Sequence, residues 1–226
     1  MGAAMFRILY EDADLIVCVK PAGTATQTRR AGQQDMVSLL RNYRHQKGEE
    51  PYIGLVHRLD QPVEGILVFG KHTKSTAALA RQLTKGMFSK VYLAVTEGNM
   101  PQQEGKRTDY IKKDAHDNRS EIVPASDAKG KKAELYYRVL ETDQKQDPVK
   151  NLVKIQLLTG RHHQIRVQMA HFGTPLAGDR KYGRPQGDQA FGLCACELAF
   201  RHPATGKEMA FAITPSQAVF KIFHTY

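Results

Sequence analysis

Apolar positions along this chain follow two periods, one near 3.6 residues and one near 2, and their succession outlines the fold. The runs "RILY" and "LIVCVK" are broken by an acidic turn and closed by Pro-Ala-Gly, which predicts two strands forming a hairpin or two sheet edges. Met36, Leu39, Leu40 and Tyr43 recur at helical spacing. "GLVHRLD" and "GILVFGK" are short apolar runs on either side of "QPVE", so Asp60 is expected on a loop linking two elements of the core. "HTKSTAALARQLTKG" predicts a helix with Thr73 or Ser75 as cap, a shared face of Thr76, Leu79, Ala80 and Leu83, and Gly86 as its end.

The second half alternates. In "SKVYLAVTEG", Val91, Leu93 and Val95 lie on one face and Lys90, Tyr92 and Ala94 on the other, a strand with Tyr92 half-buried. "AELYYRVLET" and "NLVKIQLLTG" read as an antiparallel pair. "RHHQIRVQMAHFG" places Ile165, Met169 and Phe172 on one helical face, with His162, His163 and Arg166 turned away from it and Gly173 and Pro175 as the stop. "LCACELAF", "RHPATGKE" and "MAFAI" form a last hairpin. Many strands with few helices predict an α+β fold on a largely antiparallel or mixed sheet, and the length of 226 residues suits a single domain over 1–226.

Composition narrows the partners. With 33 Lys+Arg against 23 Asp+Glu the net charge is +10, a surplus that favours polyanions. No apolar run reaches the length of a membrane span, and acidic residues interrupt the N-terminal segment before a signal-like core forms, so a membrane or secreted protein is not expected. Cys18, Cys194 and Cys196 have neither disulfide nor zinc-knuckle spacing and read as small apolar strand residues of a cytoplasmic protein. Residues 106–132, with eight Lys/Arg and five Asp/Glu, read as a solvated hairpin or flexible excursion in preference to a dedicated RNA contact.

Three places carry candidate chemistry. Alone, Asp60 is a turn former beside a proline. Set among His57, Arg58 and more distant arginines, it is instead a carboxylate that neighbouring cations hold ionised, a candidate nucleophile or base. Arg161, His162, His163, Gln164 and Arg166 gather donors at the mouth of a helix, and forked guanidinium groups suit phosphate or carboxylate. A metal site on His162, His163 and His171 is the weaker reading, since the adjoining cations oppose a metal ion and no H-x-x-x-H pair is present. Tyr92, with Lys90 on the same face, offers a ring on which a nucleobase can stack.

Three segments, "GLVHRLDQPVEGILVFGK", "SKVYLAVTEG" and "LLTGRHHQIRVQMAHFGTPLAGDRKYG", resemble in order the RluA-like family of RNA pseudouridine synthases. The resemblance starts at "LIVCVKPAGTATQ" and runs to "LAFRHPATGKEMAFAITP". It implies the pseudouridine synthase catalytic fold around a central cleft and isomerisation of uridine in ribosomal large-subunit or transfer RNA. It further implies no cofactor, no metal and a branch without the extra N-terminal RNA-binding domain of many relatives. No membrane or DNA partner is expected, and with no coiled-coil or other dimer element in the sequence a monomer is expected. Asp60 falls on the family's catalytic aspartate, Tyr92 on its base-stacking tyrosine and Arg166 on the arginine that pairs with the aspartate. His57, Arg58, Lys90, Arg161, His163 and Gln164 fall on or beside motif positions expected to contact substrate. The chain departs from the family where Val63-Glu64 replaces the usual Thr-Ser pair; Glu64 is expected to pair with a basic neighbour such as Arg58. That second anion is also the one hint of a competing reading, an RNA-binding protein whose chemistry has decayed on the same scaffold.

Overall fold

The computed structural model describes residues 6–28, 32–114, 116–183 and 189–225. In chain order the elements are β1 (Arg7–Glu11), β2 (Leu15–Lys20), α1 (Met36–Gln46), β3 (Gly54–Leu55), β4 (Glu64–Gly70), α2 (Thr73–Thr84), β5 (Ser89–Glu97), β6 (Glu104–Asp114), β7 (Arg119–Val123), β8 (Lys131–Asp143), β9 (Lys150–Leu157), α3 (Gln164–His171), β10 (Leu193–Arg201) and β11 (Glu208–Ala212). The α+β class expected from the pattern is what forms. The chain packs as two compact units, Met1–Ser89 with Ala195–Ile213, and Lys90–Cys194 with Thr214–Tyr226.

In the first unit β1, β2, β4 and β10 are successive neighbours, with β11 on β10 and β3 on β4. β1–β2, β2–β4 and β10–β11 are antiparallel. β2 and β4 are buried along their whole length, and Leu15, Val17, Ile66, Val68, Leu79, Phe88, Leu198 and Phe200 form one apolar core. That burial explains why "LIVCVK" and "GILVFG" are continuous apolar runs instead of alternating ones. Asp35 caps α1 through a reciprocal pair with Ser38. The cap of α2 is His72, one residue before the expected Thr73: its Nδ1 accepts from the Ser75 N–H, and Ser75 Oγ accepts in return from the His72 N–H. An imidazole lone pair serves here as a hydroxyl would.

In the second unit the order is β5-β9-β8-β6-β7, antiparallel throughout. Of the two readings of the charged segment 106–132, the described residues form the hairpin, β6 pairing antiparallel with β7. β5 departs from the half-exposed strand its alternation suggests, because both of its faces are covered and Tyr92 is only 7% exposed. Register places Tyr92, Ile155 and Tyr137 in one row across β5, β9 and β8, and Tyr137 meets Phe172 of the α3 end edge-on at 5.4 Å. α3 is likewise buried on nearly every side, from Gln164 through Met169, so it is not the one-striped helix expected. It begins at Gln164, and His162 and His163 precede it. All three cysteines are buried and unbridged, and burial pushes the Cys18 thiol up to about 12.

Candidate active site

Asp60 sits, partly exposed, on the loop between β3 and β4. The residues on both sides of it are fastened to the segment after β2. Thr26 Oγ1 donates to the Leu59 carbonyl at 2.8 Å and accepts the Leu59 N–H at 3.1 Å. Gly23 and Gln61 exchange two bonds, Gly23 N–H to the Gln61 carbonyl and Gln61 Nε2 to the Gly23 carbonyl, each 2.9 Å. Val63 N–H closes the turn onto the Asp60 carbonyl at 3.0 Å. The backbone on both sides of the aspartate is thereby held in place.

Beneath this loop lies a group the sequence reading missed. Lys20, 0% exposed, donates from Nζ to the carbonyls of Thr24 (2.7 Å), Pro21 (2.9 Å) and Gln61 (3.0 Å). Burial lowers its pKa to about 7, against the opposing pull of the Asp60 and Glu64 carboxylates. Glu64, 6% exposed, opens β4. The expected partner Arg58 is elsewhere: it is exposed, and its Nη2 donates to Gln27 Oε1 at 3.0 Å. The Glu64 charge does act on Lys20, and register sets Lys20 opposite Gly65, the next residue along β4. Gly65 follows at φ +149, and a Cβ there would stand 2.5 Å from the Ala195 side chain, so only glycine lets β4 leave the loop at this point. His57 faces the core: its Nε2 accepts the Val68 N–H at 3.2 Å and its ring meets Phe88 edge-on.

The second unit holds the other two principal residues. Arg166, on α3, is 5% exposed and bound to Asp179 in a two-bond fork, Nε to Oδ2 at 2.9 Å and Nη2 to Oδ1 at 2.8 Å. The rings of Tyr182 and Phe191 each lie 5.2 Å from its guanidinium carbon. Asp179 is fully buried and also accepts the N–H groups of Lys181 and Tyr182. Burial opposes its ionisation, yet Arg166 and those N–H groups hold its pKa below the usual carboxylate range. Asp179 escaped sequence reading because a carboxylate in a Gly-Asp turn looks like any turn former.

The Gly160–Gln164 turn before α3 is tied through Gln164. Its Oε1 accepts from Thr159 Oγ1 (2.8 Å) and the Arg161 N–H (3.0 Å), while Nε2 donates to the Glu134 carbonyl (3.0 Å). Buried and so bonded, Gln164 braces the turn from within. His163 adopts φ +54 and pairs Nδ1 with the Tyr182 hydroxyl at 2.7 Å; its ring stacks on His162 at 3.7 Å. The two histidines are bonded to Tyr182, Ser120 and Asn118, and His171 stands at the far, exposed end of α3. Arg161 is exposed, its Nε on the Lys132 carbonyl. Lys90 Nζ packs over Gly160, and burial lowers its pKa. Among the described residues the metal-donor grouping that converges is Asp12, Asp14 and His202. Those atoms already pair with one another, with Tyr10 and His72 and with backbone N–H groups, knotting the β1–β2 turn.

A strand-rich α+β chain with an aspartate pinned on one loop and a buried arginine on a short helix fits a family of isomerases. Residues 14–171 match the model of the RNA pseudouridylate synthase family, and the chain belongs to that family. It is 37% identical over 178 residues to an uncharacterised RNA pseudouridine synthase of Bacillus subtilis, a match covering 78% of this chain and 57% of the relative. It is 31% identical over 223 residues to ribosomal large subunit pseudouridine synthase C of Buchnera aphidicola, covering 95% of this chain and 68% of the relative. The match to ribosomal large subunit pseudouridine synthase D of Nitrosomonas europaea is 33% over 216 residues, 91% of this chain and 60% of the relative. The chain thus spans 57% to 68% of the length of these relatives. In fold it is similar to human RNA pseudouridylate synthase domain containing 1, with a TM-score of 0.76, 21% identity, and coverage of 95% of this chain and 86% of that one.

Proposed function

We propose that this chain is an RNA pseudouridine synthase that isomerises uridine to pseudouridine in ribosomal or transfer RNA, working as a cytoplasmic monomer with Asp60 as its catalytic aspartate. The observation that carries the reading is the family match over 14–171, a range that includes Asp60, Tyr92 and Arg166 and runs across the boundary between the two units. On this reading both units are parts of one catalytic domain.

The reaction breaks the bond from C1′ to N1, turns the freed uracil and rejoins it through C5, whose proton is then lost. Atoms and electrons balance within the substrate, so no cofactor is required. Two routes fit Asp60: attack on C1′, or removal of the 2′ proton to give a glycal. The family resemblance makes Arg166 the arginine that pairs with the catalytic aspartate, and within its own unit the fork to Asp179 holds the guanidinium in one orientation. Tyr92 stacks on the flipped uracil and accepts the C5 proton. Arg58 and Arg161, both exposed, and Lys90 contact the RNA backbone, with the overall surplus of cations behind them. His57 and His163 shape the loops that carry these groups.

Tritium release from RNA containing 5-tritiated uridine tests this. Asp60→Asn should lower release at least about 100-fold while RNA affinity holds. If the unmodified protein binds RNA and releases no tritium from total RNA, the isomerase reading fails and the decayed RNA-binding reading takes its place. Mapping the pseudouridine that disappears on gene deletion would name the target.

A further inference from the structure

Lys20 is the last residue of β2, and register sets it opposite Gly65, next to Glu64. Three carbonyls satisfy its protons, but carbonyls carry only partial charge, and an ammonium withdrawn from water needs more than that to stay ionised. Among the described residues, the charged groups that act on it are Asp60 and Glu64. With Asp60 alone, the lysine and the reacting carboxylate would be bound as one ion pair, and each step that consumes the Asp60 charge would leave a bare buried cation. A second carboxylate changes this balance. It stands where the family usually has a serine, and at 6% exposure it is turned away from solvent and so from RNA phosphates.

We propose that Glu64 is a positioning residue for the catalytic loop: it neutralises Lys20, so that the lysine keeps its three bonds to the loop as an ammonium while the Asp60 carboxylate is spared for the reaction. The inference rests on the reading of Asp60 as the reacting group. It explains why an anion is tolerated in a loop that meets RNA. It also gives the Val63-Glu64 pair a physical logic, since Val63, 2% exposed, seals the side of the turn next to the buried charges.

Two measurements test it in the full chain. In protein labelled with 13C-lysine, the Lys20 side-chain signal should titrate near 7, as its surroundings set it, and Glu64→Gln should move that midpoint down by about one unit or more. The rate of single-turnover tritium release should fall as Lys20 loses its proton, so the alkaline limb of the pH–rate profile should move down by the same amount. At pH 7.5 that is a rate loss of about tenfold, with RNA affinity changed less than about twofold, and Glu64→Asp should restore most of it. An unmoved Lys20 midpoint overturns the coupling. A moved midpoint with an unmoved pH–rate profile overturns the positioning role. Should Glu64→Gln fail to fold, V63T/E64S, which installs the family's usual pair, is read in the same two ways. If the unmodified protein releases no tritium, the functional reading fails, and the lysine titration still decides whether Glu64 balances Lys20.

Discussion

Each unit buries a cation at its candidate site, Lys20 in one and Arg166 in the other, and they do so by opposite means. Lys20 is held by three neutral carbonyls and leans on carboxylates through charge alone, so burial brings its pKa within reach of neutral pH. Arg166 is clasped by a fully buried carboxylate in a planar fork and flanked by two aromatic rings. A guanidinium does not give up its proton in a protein, and the fork leaves it little freedom to turn. The difference separates two duties. The arginine end is a fixed charge, and the lysine end is a clamp whose strength follows pH and whatever anions lie next to it.

The comparison breaks most severely at Asp179. Asp179→Ala leaves Arg166 buried with its fork empty, and the loss in stability should be about 3–5 kcal/mol in urea unfolding. Lys20→Met should cost less, about 2 kcal/mol, because three carbonyls lose a donor while a buried ammonium no longer has to be desolvated. The two also differ in pH. The unfolded chain keeps the Lys20 proton to about its ordinary 10.5 while the folded chain releases it near 7, so unfolding takes up a proton between those values and stability rises with pH there. Lys20→Met should flatten that rise. Asp179 has a depressed pKa, so its contribution is complete above the ordinary carboxylate range and is lost as the pH falls through its folded value. Asp179→Ala should therefore remove a drop in stability on the acid side and leave the neutral-to-alkaline slope in place. Unfolding midpoints measured from pH 3 to 10 would separate the two.

These cations differ too in how far sequence exposes them. Alternation and turn residues predict the hairpins β1–β2, β8–β9 and β10–β11, because strand period and turn chemistry are local. The "HRLD" and "GRHHQIR" segments mark Asp60 and Arg166 by their motifs. Lys20 looks like the solvent end of a strand, since nothing local says that Pro21, Thr24 and Gln61 will turn their carbonyls inward. Asp179 lies thirteen positions beyond Arg166 across a Gly-Pro-containing turn, a pairing only the folded chain makes. β5 and α3 went wrong for a common reason: period reveals which face is more apolar, and it does not reveal that the other face is covered as well. On α3 the covered polar residues Gln164, Arg166 and Gln168 are all bonded, to Glu134, Asp179 and Asp109 among others, so polarity there marks a buried network and not a wet surface.

Tyr182 offers the finest cut between charge and packing at the arginine end. Its ring lies beside Arg166, and its hydroxyl accepts the Ser120 N–H at 2.7 Å while pairing with His163 Nδ1. Tyr182→Phe keeps the ring and removes only the hydroxyl. The guanidinium should therefore stay in place, and the loss should be about 1 kcal/mol, set by the Ser120 N–H left without its acceptor. Because the fork to Asp179 is untouched, the acid-side fall in stability should match that of the unmodified protein. If Tyr182→Phe instead erased that fall as Asp179→Ala does, the hydroxyl network would have to be part of what fixes the arginine, and the fork would not be sufficient by itself.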